Sequence, residues 1–586
     1  MQRLGRAMRR PGSGGVAWRT TFFFVCAVVL AIGAAFRLWV LMVADHASYQ
    51  ALASGQHEII QTLFPKRGSI YIRDVKGATT VPLATNRRLA FVFADPRRIE
   101  DAARTTGLLA ELFGYDEEQK EKLRDRLSRK EDPYEPVEHH VSDETLARLK
   151  ELNLAGISTV DEDSRYYPEA ALGGHIAGFF GMNEDGTSAG KYGIEGFFNE
   201  LLAGKPGLVR SERDMAGRLI SVGEQAFVPA ENGVDIVLTI DQTIQYRVCH
   251  ALKKAVAEHQ ADGGSVVVLD PSTGAVLAMC GSPDFDPANY GAVEGLHVYN
   301  NPAIFSAYEP GSVFKPITIS AAIDAGVVGP DTTYEDTGLI VIDDHPIKNS
   351  DGLAHGIQTM TQVLERSLNT GSIFAMRQLG PDRFGEYVHA FGFGEKTGIE
   401  LKTEVEGDLK AMDTGEEIFA ATASYGQGLT VTPLQLAAAF AAIANGGILR
   451  RPSIVSEMRY PDGRVETREP QDIRRVVSAR AARMTTAMMV SVVENGYGKK
   501  SGVRGYYIAG KTGTAQVARE DGHVGYQEGN TNTTFAGFGP VEDPKFVMVT
   551  RLDHPRDSQW AETTATPLFG EIAAFLLDYL EIPPTR

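Results

Sequence analysis

The sequence is poor in cysteine and lacks any sustained internal repeat or long low-complexity linker, which excludes solenoid architectures and a disulfide framework. Only three cysteines occur in 586 residues, and Cys26 lies within an apolar run. For Cys249 and Cys280 we expect two buried free thiols. A single bridge between them is the alternative if this part of the chain lies outside the cytosol.

Acidic residues outnumber basic ones outside the N-terminus. The formal net charge is -17, and residues 1–19 contain five arginines and no acidic residue, so the remaining residues carry -22. Such an acidic body repels phosphate backbones, which argues against nucleic acid as a partner. The arginines are Arg3, Arg6, Arg9, Arg10 and Arg19.

Long hydrophobic runs are also rare, and only Thr20–Val43 has the length of a membrane span. A helix of about 20 residues crosses the hydrocarbon core, so we predict a single-pass protein with its anchor at residues 20–43. Arg37 can extend to the outer interface, and Trp18 and Trp39 flank the two ends. The arginine-rich tail of residues 1–19 predicts a cytoplasmic N-terminus, with the chain beyond residue 44 outside.

A cleaved signal peptide is the competing interpretation of this segment. Signal peptides have an apolar region of about 7–15 residues followed by a small-residue cleavage site. Small residues do occur at Ala31–Ala35, but the apolar run continues through and beyond them. We therefore expect an anchor that is retained.

The length of 586 residues exceeds what one hydrophobic core supports, so several domains are expected. Residues 44–233 mix short β-like runs with charged helical stretches and form one predicted module. Residues 234–586 begin with a strand (Val234–Ile240), a helix capped by Asp241 and a hairpin around residues 265–280. Ala-rich helices follow, including 434–444, then strands at 506–509 and 546–551 and a closing helix at 567–580. This order predicts an α+β domain in which helices cover an antiparallel sheet.

Three short motifs carry the chemistry, and they occur in a fixed order. They are Ser312-Val-Phe-Lys315, Ser367-Leu-Asn369 and Lys511-Thr-Gly513. Ser312 follows Glu309-Pro-Gly311, a helix-start signal, so its backbone N–H can face an oxyanion. Lys315 lies one turn further along the same helix face. Desolvation lowers the pKa of such a lysine, and in its neutral form it can act as general base for the Ser312 nucleophile.

The other two motifs are predicted to border the same cleft. The Ser367 hydroxyl can relay a proton to a leaving amine, and the Asn369 carboxamide can bind Lys315 and the substrate backbone. Lys511 can attract a carboxylate and influence the Ser367 proton.

The residues after Lys511 complete the predicted substrate site. The hydroxyls of Thr512 and Thr514 can bind a terminal carboxylate, and the Thr514 N–H is the second candidate oxyanion donor beside that of Ser312. Gly513 can allow a substrate chain to approach the strand closely.

Each motif also has an accidental match elsewhere in the chain. Ser188-Ala-Gly-Lys191 fits the first motif, but its glycines make a poor helix. Lys396-Thr-Gly398 and Lys500-Ser-Gly502 fit the third motif or its looser form, yet both lie in glycine-containing turns. Local context therefore selects the Ser312, Ser367 and Lys511 set.

With these motifs, the sequence resembles a class B penicillin-binding protein along nearly its whole length. This resemblance implies an elongated N-terminal pedestal or dimerisation-like module and a C-terminal transpeptidase domain with a serine β-lactamase-like fold. It also implies that Tyr425 and Gly426 contribute to substrate binding. The further stretches that carry the resemblance are Arg67-Gly-Ser-Ile70, Arg73-Asp74, Arg165-Tyr-Tyr-Pro168, Gly193-Ile-Glu195, Leu238-Thr-Ile-Asp241, Tyr425-Gly-Gln-Gly428 and Val431-Thr-Pro433-Leu-Gln435-Leu436.

The resemblance also implies the substrate and the cellular setting. Proteins of this kind cross-link peptidoglycan stem peptides through an acyl-serine, need no cofactor or metal, and are trapped by β-lactams. The bacterial inner membrane is the implied location, with a SEDS-type glycosyltransferase polymerase and other divisome proteins as partners. Phe535-Ala-Gly-Phe538, followed by Pro540, and the overall length resemble the division-specific (septal) branch.

Four alternatives remain open from the sequence. An elongation-specific transpeptidase shares all three motifs. An anchored β-lactamase also shares them, but it is usually smaller and needs a route for water to the acyl-enzyme. A β-lactam sensor would need more cytoplasmic chain than 19 residues, and a scaffold with a vestigial site would not need the intact motifs.

Overall fold

The computed structural model describes residues 14–46, 58–169, 172–212, 226–518 and 526–586. It divides into two compact units. The smaller unit comprises Met1–Pro65 and Lys205–Glu231, and the larger comprises Lys66–Gly204 and Asn232–Arg586.

Numbered along the chain, the strands are β1 (Glu58–Leu63), β2 (Ile70–Asp74), β3 (Thr79–Ala94), β4 (Glu135–Val141), β5 (Ile157–Tyr166), β6 (Phe179–Met182), β7 (Ser188–Lys191), β8 (Gly207–Glu212), β9 (Ala226–Val228), β10 (Asp235–Asp241), β11 (Gly263–Leu269), β12 (Val276–Ser282), β13 (Thr333–Asp336), β14 (Leu339–Ile342), β15 (His345–Lys348), β16 (Gly356–Thr359), β17 (Ile448–Arg450), β18 (Val455–Arg459), β19 (Val465–Thr467), β20 (Asp472–Arg475), β21 (Ala509–Ala518), β22 (Tyr526–Gly539) and β23 (Phe546–Asp553).

The α-helices are α1 (Gly14–Trp39), α2 (Ala102–Phe113), α3 (Glu117–Leu127), α4 (Asp143–Glu151), α5 (Gly174–Ala177), α6 (Gly193–Phe197), α7 (Asn199–Ala203), α8 (Gln242–Glu258), α9 (Pro302–Phe305), α10 (Lys315–Asp324), α11 (Met360–Arg366), α12 (Asn369–Leu379), α13 (Pro381–Ala390), α14 (Glu417–Ala423), α15 (Pro433–Ala444), α16 (Ala479–Asn495) and α17 (Ala565–Tyr579).

The smaller unit contains the apolar N-terminal helix and a three-stranded sheet. Helix α1 continues into a short π-helical segment, Val40–Ala44. The apolar stretch Trp18–Ala44 is long enough to cross a membrane by length and composition. The sheet has the order β1-β8-β9 with antiparallel pairs.

A seven-stranded sheet in the larger unit joins the first part of the chain to the last. Its order is β19-β18-β10-β2-β3-β4, and β5 also pairs with β3. Strand β10 runs parallel to β2, with Ile236 opposite Ile70, and antiparallel to β18. The boundary predicted between residues 233 and 234 therefore lies just before β10, which pairs with β2 from the preceding part of the chain and with β18 from the following part.

A buried ion cluster stabilises the N-terminal part of the larger unit. Glu195 is fully buried and accepts hydrogen bonds from Arg67 Nε at 2.8 Å and Arg165 Nε at 2.6 Å. Two guanidinium groups compensate the desolvated carboxylate, as a buried charge requires.

A five-stranded antiparallel sheet, β12-β11-β23-β22-β21, forms the centre of the C-terminal part. Alternate side chains of β11 point to opposite faces, as strand geometry requires. Val266 and Val268 pack with α8 and α17, whereas Val267 and Leu269 pack with α15 and α10. Helices thus cover both faces of the sheet, which confirms the predicted α+β fold.

Several local predictions are confirmed, and one strand boundary needs correction. Asp241 caps α8, its carboxylate accepting a hydrogen bond from Ile244 N at 2.8 Å. Strands β11 and β12 form the expected hairpin. Strand β21, however, begins at Ala509 and not at Tyr506, because its pairing with β22 begins there. The Lys-Thr-Gly motif therefore lies inside the strand and not after it.

The prediction of two free thiols is wrong, and the alternative of a single bridge is correct. Cys249 on α8 and Cys280 on β12 form a disulfide with a Cα–Cα distance of 5.3 Å. The two residues are 31 positions apart in sequence, but α8 packs directly against β12. The sequence indicated both elements without indicating which of their faces meet.

Candidate active site

Ser312 lies in a tight 3-10 turn, Gly311–Phe314, that leads directly into α10. Gly311 has a positive φ of 59°, and its N–H donates to the Gly426 carbonyl at 2.9 Å. A Cβ atom on Gly426 would lie 2.1 Å from the Gly311 carbonyl oxygen. The glycine-rich segment around residue 426 therefore supports the Ser312 turn through backbone contact that no side chain would permit.

Lys315 begins α10 and is fully buried. Its Nζ donates to Asn369 Oδ1 at 2.8 Å, to the Ser367 carbonyl at 2.5 Å and to Ser367 Oγ at 3.2 Å. Across the part of the chain that the structure describes, Ser312 Oγ has no hydrogen-bond partner. The predicted contact between Asn369 and Lys315 is therefore present, Ser367 adds two further acceptors, and the Ser312 hydroxyl is left available for a substrate.

Ser367 and Asn369 lie between two helices. Ser367 ends α11 in the left-handed region, with φ 59°, and Asn369 begins α12. A non-glycine residue in this region is uncommon and costs conformational energy, and such residues cluster at functional sites.

Lys511 approaches Ser367 from the opposite side, on β21. It is fully buried, and its Nζ donates to Ser367 Oγ at 3.0 Å and to the Thr512 carbonyl at 3.0 Å. Ser367 Oγ is thus within hydrogen-bonding distance of both Lys315 and Lys511. A hydroxyl in this position can accept a proton from one amine while it donates its own to another group.

Burial strongly affects the charge of both lysines. Desolvation, followed by repulsion from Lys511, holds the pKa of Lys315 well below its usual range. Desolvation lowers the pKa of Lys511 to about 7. At neutral pH the site therefore holds less positive charge than two ordinary lysines, and a neutral amine is available as a base.

Gly513 brings β21 close to the Ser312 turn. A Cβ atom here would lie 2.8 Å from the Pro310 carbonyl oxygen and 2.9 Å from Val313 Cγ1. The strand can therefore approach the turn only because this position is glycine. The close contact at Gly513 is with the chain's own Ser312 turn, a role that the sequence did not suggest.

These residues surround one cleft of about 690 Å³. Ser312, Ser367, Asn369, Thr512, Thr514 and Tyr425 line it, whereas Lys315, Lys511, Gly426 and Gly513 do not. The lining residues that sequence reasoning missed are Gly311, Pro346, Ile347, Lys348, Ser350, Asp351, Gln427, Tyr497, Gln516, Thr531, Gln559, Trp560, Ala561 and Glu562.

Two of the missed residues carried a signal in the sequence. Gln427 lies within the glycine-rich Tyr425–Gly428 segment that was already assigned to the site. Trp560 is one of three tryptophans, and the other two flank the apolar helix. It is 54% exposed and lines the cleft.

The accidental motif matches lie outside the cleft. Ser188 and Lys191 belong to strand β7, and Lys191 Nζ donates to the Met182 carbonyl at 2.8 Å. The Thr397 and Gly398 N–H groups instead bind the Glu404 carboxylate. The structure thus separates these matches from the Ser312, Ser367 and Lys511 set. In the described ranges, no group of three or more His, Cys, Asp or Glu side chains forms a candidate metal site.

Comparison with known proteins places this geometry in a family context. Residues 264–574 match the family described as Penicillin binding protein transpeptidase domain. Residues 62–238 match the family described as Penicillin-binding Protein dimerisation domain.

Similar curated and solved proteins extend over most of the chain. Stage V sporulation protein D of Bacillus subtilis is 33% identical over 89% of this chain and 79% of its own length. Peptidoglycan D,D-transpeptidase FtsI of Escherichia coli is 30% identical over 90% of this chain and 85% of its own. The crystal structure of penicillin binding protein 3 from Mycobacterium tuberculosis, complexed with aztreonam, is 28% identical. It covers 90% of this chain and 98% of its own, with a TM-score of 0.68.

Proposed function

The chain belongs to the class B penicillin-binding proteins, and we propose that it cross-links peptidoglycan by a D,D-transpeptidase reaction with Ser312 as nucleophile. The observation that carries the assignment of roles is the position of Ser367 Oγ, at 3.2 Å from Lys315 Nζ and 3.0 Å from Lys511 Nζ. Two desolvated amines around one hydroxyl form a proton-transfer group at the cleft that Ser312 also lines, and the Ser312 hydroxyl has no hydrogen-bond partner among the described residues.

In the proposed acylation step, Ser312 Oγ gives its proton to neutral Lys315 Nζ and attacks the penultimate D-alanine carbonyl of a stem peptide. The backbone N–H groups of Ser312 and Thr514 stabilise the oxyanion. The C–N bond then breaks, and the proton passes from Lys315 through Ser367 Oγ to the leaving D-alanine amine.

The second step reverses the direction of proton flow. The acceptor amine of a neighbouring stem peptide attacks the acyl-serine carbonyl and loses its proton toward Lys315. The ester bond breaks, Ser312 recovers its proton, and the new amide bond is the cross-link. Asn369 holds the Lys315 amine in place throughout, through the 2.8 Å contact with its Oδ1.

Substrate binding is assigned to residues that line the cleft beside the proton-transfer group. The hydroxyls of Thr512 and Thr514 are proposed to bind the terminal carboxylate, and the Lys511 charge favours its approach. Tyr425 supplies a wall of the cleft, and Gly426 maintains the backbone contact that keeps this wall beside Ser312.

Mass spectrometry of the full-length chain in detergent tests this assignment. Mixed with benzylpenicillin, the wild type is expected to gain one stable covalent adduct, and Ser312→Ala is expected to gain none. Ser188→Ala, which alters the accidental motif match, is the control and should be acylated like the wild type. Rapid penicillin turnover would indicate a β-lactamase, and an adduct on Ser312→Ala would refute the nucleophile.

The cellular role is a further part of the proposal. Membrane anchoring is supported by the apolar helix, and an exterior catalytic domain by the five N-terminal arginines and the disulfide, which persists in oxidising compartments. Septal synthesis is supported by the relatives named FtsI. Because the two matched families describe a dimerisation and a transpeptidase domain, we assign glycan polymerisation to a separate SEDS-type partner within the divisome.

A further inference from the structure

The segment between α10 and α11 contains an anion without an ionic partner. Two small hairpins form this segment, in which β13 pairs with β16 and β14 pairs with β15. Asp336, at the end of β13, is only 1% exposed. Within the described residues, no lysine, arginine or histidine forms an ion pair with it.

Among the described residues, Asp336 is stabilised by hydrogen bonds and by no ion pair. Its Oδ1 accepts from Gly338 N at 2.9 Å, Thr370 Oγ1 at 2.8 Å and Asn349 Nδ2 at 3.0 Å. Its Oδ2 accepts from Asn349 Nδ2 at 2.9 Å and His355 N at 3.1 Å. Burial raises the pKa of this carboxyl, but these donors outweigh burial and lower it, so Asp336 is an anion at neutral pH.

Two of these donors link the hairpins to the Ser-Leu-Asn motif. Thr370 directly follows Asn369, and its Oγ1 and N–H lie 3.2 and 3.3 Å from Asn349 Oδ1. One residue earlier on each segment, Asn369 Nδ2 donates to the Lys348 carbonyl at 2.8 Å. Residues 348–349 and 369–370 are therefore joined at two successive positions. Asp336 accepts hydrogen bonds from the second pair, Asn349 and Thr370.

The orientation of the Asn369 carboxamide depends on this junction. With Nδ2 donating to Lys348, Oδ1 faces the Lys315 amine at 2.8 Å. A shift of the Lys348 carbonyl would release the amide to rotate and present its NH2 group to an amine that needs an acceptor. Errors of about 1 Å in such contacts can reduce rates about 100-fold.

We infer that Asp336 is a positioning residue for the transpeptidase reaction, acting through Asn349 and Thr370 on the Asn369 carboxamide that holds Lys315. This inference rests on the proposed function of the same site. Asp336 does not line the cleft, and it touches none of the reacting groups.

Asp336→Asn is the direct test, because the amide keeps the shape but replaces one acceptor oxygen by a donor that faces other donors. We expect its second-order rate of acylation by benzylpenicillin to fall about 10- to 100-fold. The rise of the rate with pH should also move to lower pH, since a displaced Asn369 no longer stabilises the charged form of Lys315. Asp344→Asn, at the exposed hairpin tip, is the matched control and should behave like the wild type.

The outcomes separate this inference from the function on which it rests. A wild type that is not acylated refutes both. A normally acylated wild type, with Asp336→Asn equal to it at every pH, refutes only the positioning role. A lower melting temperature or rate with an unchanged pH profile also refutes it, because a purely structural role predicts that result. If Asp336→Asn does not fold, Thr370→Val decides: a slower reaction with the same pH shift supports the inference, and wild-type behaviour overturns it.

Discussion

Among single residues, we expect the charge state of two lysines to control the site. Both are fully buried, both contact Ser367 Oγ, and repulsion from Lys511 contributes to the low pKa of Lys315. A protonated Lys315 cannot accept the Ser312 proton. Acylation of the wild type should therefore increase as the pH rises and Lys315 loses its proton.

Replacing Lys511 by methionine tests the coupling between the two amines. Removal of the neighbouring positive charge raises the pKa of Lys315, so the increase in acylation should move to higher pH. The maximal rate should fall by roughly 10²- to 10⁴-fold, the usual range for loss of a proton-transfer group. The measurement is the benzylpenicillin acylation rate of the full-length chain from about pH 5 to 8, the range in which folded proteins are usually most stable.

Lys500→Met, in the exposed accidental motif match, is the control for this substitution and should leave the profile unchanged. A slow Lys511→Met enzyme whose pH profile coincides with that of the wild type would contradict the electrostatic coupling.

Residue-level prediction was most specific where chemistry and local context coincide. Ser312, Lys315, Ser367, Asn369 and Lys511 were identified because each combines a reactive side chain with a recognisable helix or strand signal. Asp336 was not identified, since its importance arises from contacts with residues 13 to 34 positions away. Gly513 was identified, but its close contact with Pro310 depends on how β21 meets the Ser312 turn, which no local pattern encodes.

At the scale of elements, the disulfide fixes α8 to the edge strand of the central sheet. Strand β12 is the outermost strand of the order β12-β11-β23-β22-β21, so its outer edge lacks a neighbour in that sheet. The Cys249–Cys280 bond closes a loop with a sequence separation of 31 residues. A loop of this length corresponds to roughly 3 to 4 kcal/mol of stabilisation through the lost freedom of the unfolded chain.

A chain with both Cys249→Ser and Cys280→Ser should therefore unfold at a lower urea concentration, with a loss of roughly 3 to 4 kcal/mol. Acylation by benzylpenicillin in the absence of urea should persist, because neither cysteine lines the cleft. Reducing agent should bring the wild type to the same urea midpoint as the double variant. Cys26→Ser, in the apolar helix, is the control, and equal midpoints for all chains would contradict a stabilising bond.

Elements were predicted more reliably than the contacts between them. Helices α8 and α15 and the β11–β12 hairpin follow from apolar periodicity and turn residues. The pairing of β21 with β22 moved a strand start from residue 506 to 509, because ladder partners and not composition define the end of a strand. The cysteine prediction failed for the same reason. Local sequence does not show which face of α8 packs against β12, and the disulfide depends on that contact.

Across the molecule, the sequence suggested a domain boundary near residue 234, but the seven-stranded sheet contains strands from both sides of this boundary. Composition changes near residue 234, yet β10 pairs with β2 on one side and β18 on the other. Ile70 and Ile72 are buried in one core together with Ile236 and Leu238. The N-terminal strands therefore form part of the support for the first helix of the catalytic region, α8, which follows β10 directly.

The arginine-rich N-terminus predicts the orientation of the chain in the membrane. With five arginines before the span, a tag at the N-terminus should remain cytoplasmic and protected, while protease admitted to the outer face should degrade the chain beyond residue 44. A fluorescent N-terminal fusion of the full-length chain should concentrate at the division site. Replacing the five arginines by glutamine is the matched control, because it removes the orientation signal without altering the span, and part of the tags should then become accessible. A digested wild-type tag would refute the orientation. Fluorescence spread evenly along the lateral wall would refute the septal role and favour an elongation-specific transpeptidase.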